Sequence, residues 1–185
     1  SYKIRVWAKD RSWPMSDAAD VHVRFDQPGR RLLFWRKNSY VPVWAPAEGP
    51  WYMNPLVRQY GNAKQSGRFY SPLFDGRCLY SRVRVIENHD ARIVIHWRYS
   101  PVNEQGQQAD ADPVTGWSDW VDEYYTVYPD SVGARKIILH RRSPLTDGRI
   151  YLAGILQNPP QTGLSDFKDV SVVLGNLKGQ TGTYE

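Results

Sequence analysis

Side chains that can exchange protons are concentrated between residues 96 and 140 of this chain of 185 residues. They fall on segments with the alternating pattern of β-strands: His96, Arg98, Tyr124, Arg135 and His140, with Tyr125 beside Tyr124. β-Elimination of a uronic-acid polysaccharide needs a cation that neutralises the carboxylate, a base that removes the adjacent proton and an acid that protonates the leaving oxygen. Arginine, tyrosine and histidine can supply these functions. We therefore treat this set as the candidate catalytic residues of a polysaccharide lyase.

The strands that would position these side chains form two predicted hairpins, within residues 81–99 and 120–140. In the return strand of the first hairpin, apolar residues alternate with polar ones, and successive side chains of a strand point to opposite faces. The apolar face contains Ile93, Ile95, Trp97 and Tyr99. With a turn at residues 89–90, Glu87 is expected opposite Arg92. Two consecutive hairpins predict an antiparallel sheet.

A second chemistry, glycoside hydrolysis by paired carboxylates, has Asp119, Asp122 and Glu123 as its candidates. Asp122 and Glu123 are consecutive, so on a strand they point to opposite faces and cannot form one catalytic pair. We expect them to pair instead with a cation across the hairpin, Arg135 or Lys136. The lyase therefore ranks above the hydrolase as an enzymatic interpretation.

Aromatic residues are unusually frequent, with 8 Trp and 12 Tyr against only 5 Phe. Trp and Tyr combine a flat apolar ring with a hydrogen-bonding group, which suits surfaces that stack on sugar rings. Residues 45–76 are the longest region without clear periodicity, and we interpret them as a long aromatic binding loop. The candidate substrate-binding residues in and beside it are Trp44, Trp51, Tyr52, Asn54, Arg58, Tyr60, Arg68 and Tyr70.

Composition places the chain in the soluble globular class, with 41% hydrophobic and 23% charged residues. The net charge of +5 permits an anionic partner, although acidic residues are interleaved with the basic ones. No apolar run approaches the roughly 18 residues of a membrane-spanning helix, so no membrane partner is expected. The single cysteine, Cys78, excludes an internal disulfide framework and is interpreted as a small, half-buried residue.

Sequence motifs of high specificity are absent, including the P-loop, the dinucleotide fingerprint, the zinc-protease motif and the nucleophile elbow. The 4 histidines lie far apart in the sequence and show no metal-ligand spacing, so neither a metal nor an organic cofactor is expected. The basic residues form no clear stripe, and no RNA-module motif is present. Nucleic acid is therefore only a minor alternative partner.

Turn residues recur at hairpin spacing along the chain, and no amphipathic helix is evident. About ten strands at this spacing predict an antiparallel all-β sandwich. We expect a single domain over residues 1–185, with residues 1–19 and 179–185 as peripheral segments. Because the chain begins with Ser1 and not with Met, we expect a processed product or a piece of a longer protein.

Two stretches of the sequence resemble β-sandwich regions in large secreted proteins of environmental bacteria. The first contains LFWR at residues 33–36, YVPVW at 40–44, WY at 51–52 and NHDARIVIHWRY at 88–99. The second contains GWSDWVDEYY at 116–125, YPD at 128–130 and Gly133. The same residues are similar, more loosely, to the supersandwich domains of polysaccharide lyases and galactose-mutarotase-like enzymes. The resemblance covers roughly residues 31–140 and implies an all-β fold in a carbohydrate context; no catalytic residue is carried over from it.

These patterns together predict a carbohydrate-engaging β-sandwich that binds an anionic polysaccharide as a module of a larger secreted, extracellular protein. Two alternatives stay open. One is a polysaccharide lyase that acts on uronic-acid glycans through tyrosine and histidine. The other is a self-assembling extracellular structural subunit, a homo-oligomer in which exposed sheet edges pair between copies.

Overall fold

The computed structural model of the protein describes residues 20–26, 28–47, 51–60, 68–142, 148–152, 155–157, 172–175 and 179–184. Over these residues the chain forms fourteen strands and two short 3-10 helices, and every strand pairing is antiparallel. The predicted all-β antiparallel class is therefore confirmed, with more strands than expected.

Two larger sheets make up most of the described structure. The first sheet has the strand order β1 (Val21–Arg24), β2 (Arg31–Phe34), β3 (Pro42–Ala45), β4 (Trp51–Met53) and β12 (Ile155–Gln157). The second sheet has the order β7 (Ser81–His89), β8 (Arg92–Tyr99), β9 (Trp120–Val127) and β10 (Gly133–His140). A third sheet contains β11 (Gly148–Leu152), β5 (Leu56–Tyr60) and β6 (Arg68–Tyr70), and a fourth contains β13 (Val172–Gly175) and β14 (Thr181–Tyr184). The 3-10 helices are Arg36–Asn38 and Pro72–Phe74.

The two larger sheets enclose a core of aliphatic and aromatic side chains. The first sheet contributes Val21, Val23, Leu32 and Phe34. The second sheet contributes Ile93, Ile95, Trp97, Tyr99, Val121, Tyr125 and Val127. The rings of Phe34 and Tyr125 meet edge to face between the sheets, with centroids 5.3 Å apart at an angle of 80°. Burial of each large apolar side chain stabilises the fold by about 1.5–3 kcal/mol. The predicted alternation in residues 93–99 is confirmed.

The first hairpin of the second sheet differs from its predicted register. The turn is at residues 90–91, so that His89 pairs with Arg92 and the predicted opposition of Glu87 to Arg92 is wrong. A β-bulge between Val85 and Glu87 shifts the register along the hairpin. The alternation of apolar residues does not reveal such a one-residue insertion, because the bulge absorbs it locally. Glu87 still reaches Arg92 diagonally, with Oε1 2.7 Å from Nε.

Residues 45–76 do not form the single long loop that was predicted, because β4, β5 and β6 lie within them. These strands have only three to five residues each, too few for a hydrophobic period to be recognised. The C-terminal segment contains β14, which pairs with β13 in the fourth sheet. The N-terminal segment, residues 1–19, lies outside the described residues.

Candidate functional site

Asp122 is the centre of a polar cluster on the outer face of the second sheet, the face that points away from the core. It lies on β9, between β8 and β10, so side chains from both neighbouring strands reach its carboxylate. His96 Nε2 lies 2.6 Å from Oδ1, and His140 Nε2 lies 2.7 Å from Oδ2. Arg98 Nη1 also approaches Oδ2, at 3.3 Å. We call these four residues the Asp122 cluster.

Both ring nitrogens of His96 are engaged by the protein. Arg84 Nε donates a hydrogen bond to His96 Nδ1 at 3.1 Å. Because an arginine nitrogen only donates, Nδ1 is the acceptor and Nε2 carries the proton that is donated to Asp122. The ring also stacks on Tyr124, with centroids 4.8 Å apart, and His96 is only 7% exposed. His96 therefore has no free nitrogen for a substrate in this arrangement.

His140 differs from His96 because β10 is an edge strand of the second sheet as described. The side chain of His140 is 52% exposed. Nε2 bonds to Asp122, and no contact with another described residue occupies Nδ1. A neutral imidazole whose Nε2 proton is held by a carboxylate presents a lone pair on Nδ1, which is how an aspartate orients a general base. His140 is therefore the histidine of the cluster that a ligand can reach.

The carboxyl group of Asp122 is held in its ionised form. Burial opposes ionisation, but the hydrogen bonds from His96 and His140 outweigh it, and the pKa of Asp122 lies below its ordinary value of 3.8. The positive charge of Arg98 acts in the same direction. Asp122 is consequently a hydrogen-bond acceptor that fixes both imidazole rings, and it has no proton to give at neutral pH.

Four of the five predicted catalytic residues lie together on this outer face: His96, Arg98, Tyr124 and His140. The fifth, Arg135, lies on the inner face of β10 and is separated from them by the sheet. Residues 135 and 140 are an odd number of positions apart, so alternation along the strand puts them on opposite faces. Arg135 is therefore removed from the predicted set. Arg84 is not among the predicted residues, and the strand register places it opposite His96.

The inner face of the second sheet carries a separate network around Glu123, which is fully buried. The hydroxyl groups of Tyr99 and Tyr125 each donate to its carboxylate at 2.7 Å. Arg135 donates from Nε and Nη2 at 2.7 and 2.8 Å, and its Nη1 donates to the carbonyl oxygen of Asn54 at 2.9 Å. Burial and the charge of Glu123 raise the pKa of both tyrosines well above the ordinary value. The predicted pairing with a cation across the hairpin is confirmed for Glu123, whereas Asp122 bonds to the residues of its own cluster instead of to Arg135 or Lys136.

The third carboxylate of the hydrolase hypothesis, Asp119, is also buried in an ion pair, in this case with Arg58. Its Oδ1 accepts a hydrogen bond from the backbone N–H of Arg142 at 2.9 Å. Asp119, Asp122 and Glu123 thus lie in separate ion pairs, and no two of them face each other across a space for a sugar. Their geometry does not provide the facing carboxylates that hydrolysis requires.

The predicted substrate-binding residues do not share one surface. Arg58 and Tyr70 are buried, 1% and 7% exposed, so their predicted place at a binding surface is wrong. Trp44 stacks on Phe25 against the core, with ring centroids 6.1 Å apart. Tyr52 is 38% exposed, and Asn54 provides a backbone acceptor to Arg135. Tyr60 and Arg68 are cross-strand partners on β5 and β6, and their side chains lie outside the described part of the structure.

Trp51, the remaining candidate, lines a groove on the outer face of the first sheet. We call this the tryptophan groove, and its principal lining residues are His22, Arg24, Arg31, Leu33, Trp35 and Trp51. The rings of Trp35 and Trp51 lie 5.4 Å apart, centroid to centroid, and are tilted by 59°. Both tryptophans are half-buried, so each presents part of its ring to the groove.

Two arginines give the tryptophan groove a concentrated positive charge. Arg24 and Arg31 are direct cross-strand partners of β1 and β2, and both are exposed. Like charges directly opposite each other cost stability, by roughly 0.2–1 kcal/mol. Neither arginine forms an ion pair with a described residue. Asp20, the acidic residue of the groove lining, uses Oδ1 to accept the backbone N–H of Arg36 at 2.9 Å.

A tight turn at Gly29 closes one side of the groove. Gly29 has a φ of +83°, the left-handed conformation that glycine adopts without strain. A Cβ atom at this position would overlap Ala47, another residue of the groove lining. The sequence does contain a signal for the charged side of this groove, namely arginines on either side of a Pro-Gly turn, with Trp35 soon after.

Cys78 is more deeply buried than predicted, at 4% exposure, and its Sγ donates to the carbonyl oxygen of Arg36 at 3.1 Å. Burial and the nearby charge of Asp75 raise the pKa of the thiol to about 12. The thiolate is therefore scarce at neutral pH, as expected for a structural cysteine.

In comparisons with known proteins, the chain matches no protein-family model, no curated protein and no solved structure. The resemblance to β-sandwich regions of secreted carbohydrate-active proteins thus stays a prediction. Among the described residues, no helix has the length and apolar character needed to cross a membrane. The same residues contain no group of three or more His, Cys, Asp and Glu side chains arranged to hold a metal ion.

Proposed function

We propose that the protein binds an anionic polysaccharide in the tryptophan groove. The observation that supports this proposal is the presence, on one concave surface, of two adjacent tryptophan rings and two arginines that form no ion pair with a described residue. A tryptophan ring packs well against the C–H groups of a sugar, while arginine forms paired hydrogen bonds with a carboxylate or sulfate. A groove of this kind provides both contacts to an acidic glycan.

The outer surface of a sheet suits a polymer better than a small molecule. Enclosed pockets bury most of a small ligand, whereas an open groove contacts several units of a chain that continues beyond it. The proposal is consistent with a module of a secreted protein, since acidic polysaccharides of this type are encountered outside the cell.

Affinity electrophoresis through gels containing polygalacturonate tests the groove. We expect Trp35→Ala and Trp51→Ala each to weaken retention about tenfold, equivalent to about 1.4 kcal/mol. Trp117→Ala is the matched control, because Trp117 is 66% exposed on a loop outside the groove. Its retention should equal that of the wild type. Unchanged retention of both groove variants would overturn the proposal.

The arginine pair is tested separately by the double variant Arg24→Gln with Arg31→Gln. We expect this variant to lose retention on polygalacturonate and to show a weaker dependence of binding on salt, because fewer charged contacts remain. On a neutral glucan, the double variant and the wild type should behave alike. Equal retention on polygalacturonate would show that the arginines do not contact the glycan.

A lyase activity is the second candidate, supported by the orientation of His140. Its accessible Nδ1 is positioned by Asp122 beside the partly exposed Arg98, so a base and a cation for a uronate lie on one surface. Product would be followed by absorbance at about 235 nm, where the unsaturated uronate formed by elimination absorbs. We expect His140→Gln to abolish the signal while the fold is kept. A flat trace for the wild type on uronic-acid polysaccharides would reject this candidate.

A further inference from the structure

The outer face of the second sheet has an excess of positive charge, on the opposite side of the sandwich from the tryptophan groove. Its cationic side chains are Arg82, Arg84, Arg92, Arg98 and Lys136, all exposed. The carboxylates on the same face of these strands are Glu87 and Asp122. We call this surface the basic face.

The register of the strands brings these cations side by side. Arg82 lies directly opposite Arg98, and Arg84 lies directly opposite His96. The like-charged pair of Arg82 and Arg98 destabilises a sheet, so it is unfavourable for folding alone. The Arg24–Arg31 pair in the groove has the same arrangement, two arginines directly opposite each other on neighbouring strands.

Part of this charge is left without a carboxylate partner. Glu87 is paired with Arg92 and His89 at the end of the hairpin. Asp122 is bonded to the other residues of the Asp122 cluster. No described carboxylate forms an ion pair with Arg82, Arg84 or Lys136. These three exposed cations therefore attract an external anion.

The aromatic rings of the basic face indicate what kind of polyanion fits it. The guanidinium group of Arg98 lies over the ring of Trp120, 5.2 Å from its centroid. The ring of Tyr124 stacks on His96, with centroids 4.8 Å apart. One side of each ring is covered by a protein side chain, which limits the base stacking on which binding of single-stranded nucleic acid largely depends. The face instead offers charged donors, which suit the carboxylate or sulfate groups of an acidic polysaccharide.

We propose that the basic face is a second binding site for acidic polysaccharide, so that one molecule bridges two polysaccharide chains. This inference rests on the proposed function of the tryptophan groove for one of its two contacts. The two sites lie on the opposite outer faces of the sandwich, and a single glycan chain in the groove leaves the basic face open to another. Bridging adds avidity in a polysaccharide network without any new contact within one site.

The test compares one-site binding with bridging. Retention of the protein on immobilised polygalacturonate reports binding, and light scattering from soluble polygalacturonate mixed with protein reports bridging. The face variant combines Arg82→Gln and Lys136→Gln, which removes two charges without altering the Asp122 cluster. The matched control combines Lys37→Gln and Arg77→Gln, which removes two exposed charges from outside both sites.

The wild type and the control should bind and bridge. The face variant should keep retention within about threefold, through the groove, and lose most of the scattering, at least tenfold. The groove variant Trp35→Ala with Trp51→Ala should also lose scattering while keeping a weak, salt-sensitive retention through the basic face. Bridging by the face variant at the wild-type level would overturn the second site.

Failure of the two proposals gives different results. If the groove is not a binding site, its variant retains and scatters like the wild type, whereas the face variant loses retention altogether. If the basic face is not a site, the face variant is indistinguishable from the charge control in both measurements. Single-stranded oligodeoxythymidylate is the competing ligand. If it binds as tightly as polygalacturonate at matched salt, and if this binding depends on Arg82 and Lys136, the choice of a polysaccharide as the occupant is overturned.

Discussion

Asp122 and Glu123 are neighbours in the sequence, yet they serve two different surfaces of the same strand. Glu123 is fully buried, and its carboxylate is saturated by two tyrosine hydroxyls and Arg135. Asp122 is 6% exposed and holds two histidines, one of which is itself half exposed to solvent. Both carboxylates are ion-paired, but only the outer network keeps a group that a ligand can reach.

This difference separates a structural network from a candidate functional one. A buried carboxylate needs all its partners, because each unpaired charge retains the full cost of leaving water. A carboxylate near the surface loses less when a partner is removed, because water replaces the missing contact. The network around Glu123 (the inner network) is therefore expected to govern stability, and the Asp122 cluster (the outer network) to govern what binds.

The largest effect is expected for Arg135→Met, which leaves Glu123 buried without its cation. Breaking a buried pair in this way costs about 3–5 kcal/mol, since the tyrosine hydrogen bonds only partly compensate. The free energy of unfolding from urea denaturation measures the effect. Tyr125→Phe, which removes a single hydrogen bond to a charged group, should cost about 1.5–3 kcal/mol. An Arg135→Met protein as stable as the wild type would contradict the assignment of the inner network.

A smaller loss of stability, about 1–2 kcal/mol, is expected for Asp122→Asn, because the outer cluster remains near water. We expect this substitution to change the orientation of the two imidazole rings more than it changes the fold. Nitrogen chemical shifts of His96 and His140, measured by NMR, report the tautomers directly. We expect His96 to keep its Nε2 proton in the wild type, and a wild-type spectrum with Nδ1 protonated would contradict the hydrogen bond from Arg84.

Lowering the pH should reduce the contribution of Asp122 to the free energy of unfolding. Because the pKa of Asp122 is depressed in the folded protein, its stabilising contribution is complete above the ordinary value of 3.8 and is lost as the pH falls below it. Asp122→Asn removes this titration, so its stability should decline less than that of the wild type between about pH 5 and about pH 2.5. Parallel declines in urea midpoint would show that Asp122 is not linked to folding.

The smallest effect is expected for His140→Gln, which should change the free energy of unfolding by less than about 0.5 kcal/mol. The side chain of His140 is 52% exposed, so its bond to Asp122 competes with water. This variant is consequently the cleanest probe of function on the outer face, because binding or activity can change while the fold does not. A large loss of stability would place His140 with the structural residues.

Much of the second sheet was predictable because strand alternation is a local property. Ile93, Ile95, Trp97 and Tyr99 share the core face as expected, and the opposite orientation of Asp122 and Glu123 follows from their adjacency. Applied to Arg135, the same rule would have separated it from His140. The short strands β4, β5 and β6 escaped prediction because they offer too few residues for a period.

The sequence by itself determined the all-β class, the two hairpins and the face on which each of their side chains lies, because these depend on neighbours along the chain. The tertiary structure decided which distant residues meet. Arg58 pairs with Asp119 inside the protein, although its charge had indicated a surface role. Trp35 and Trp51 share a groove because β2, β3 and β4 are adjacent in the first sheet. Such contacts arise from the packing of strands and sheets, and no local pattern encodes them.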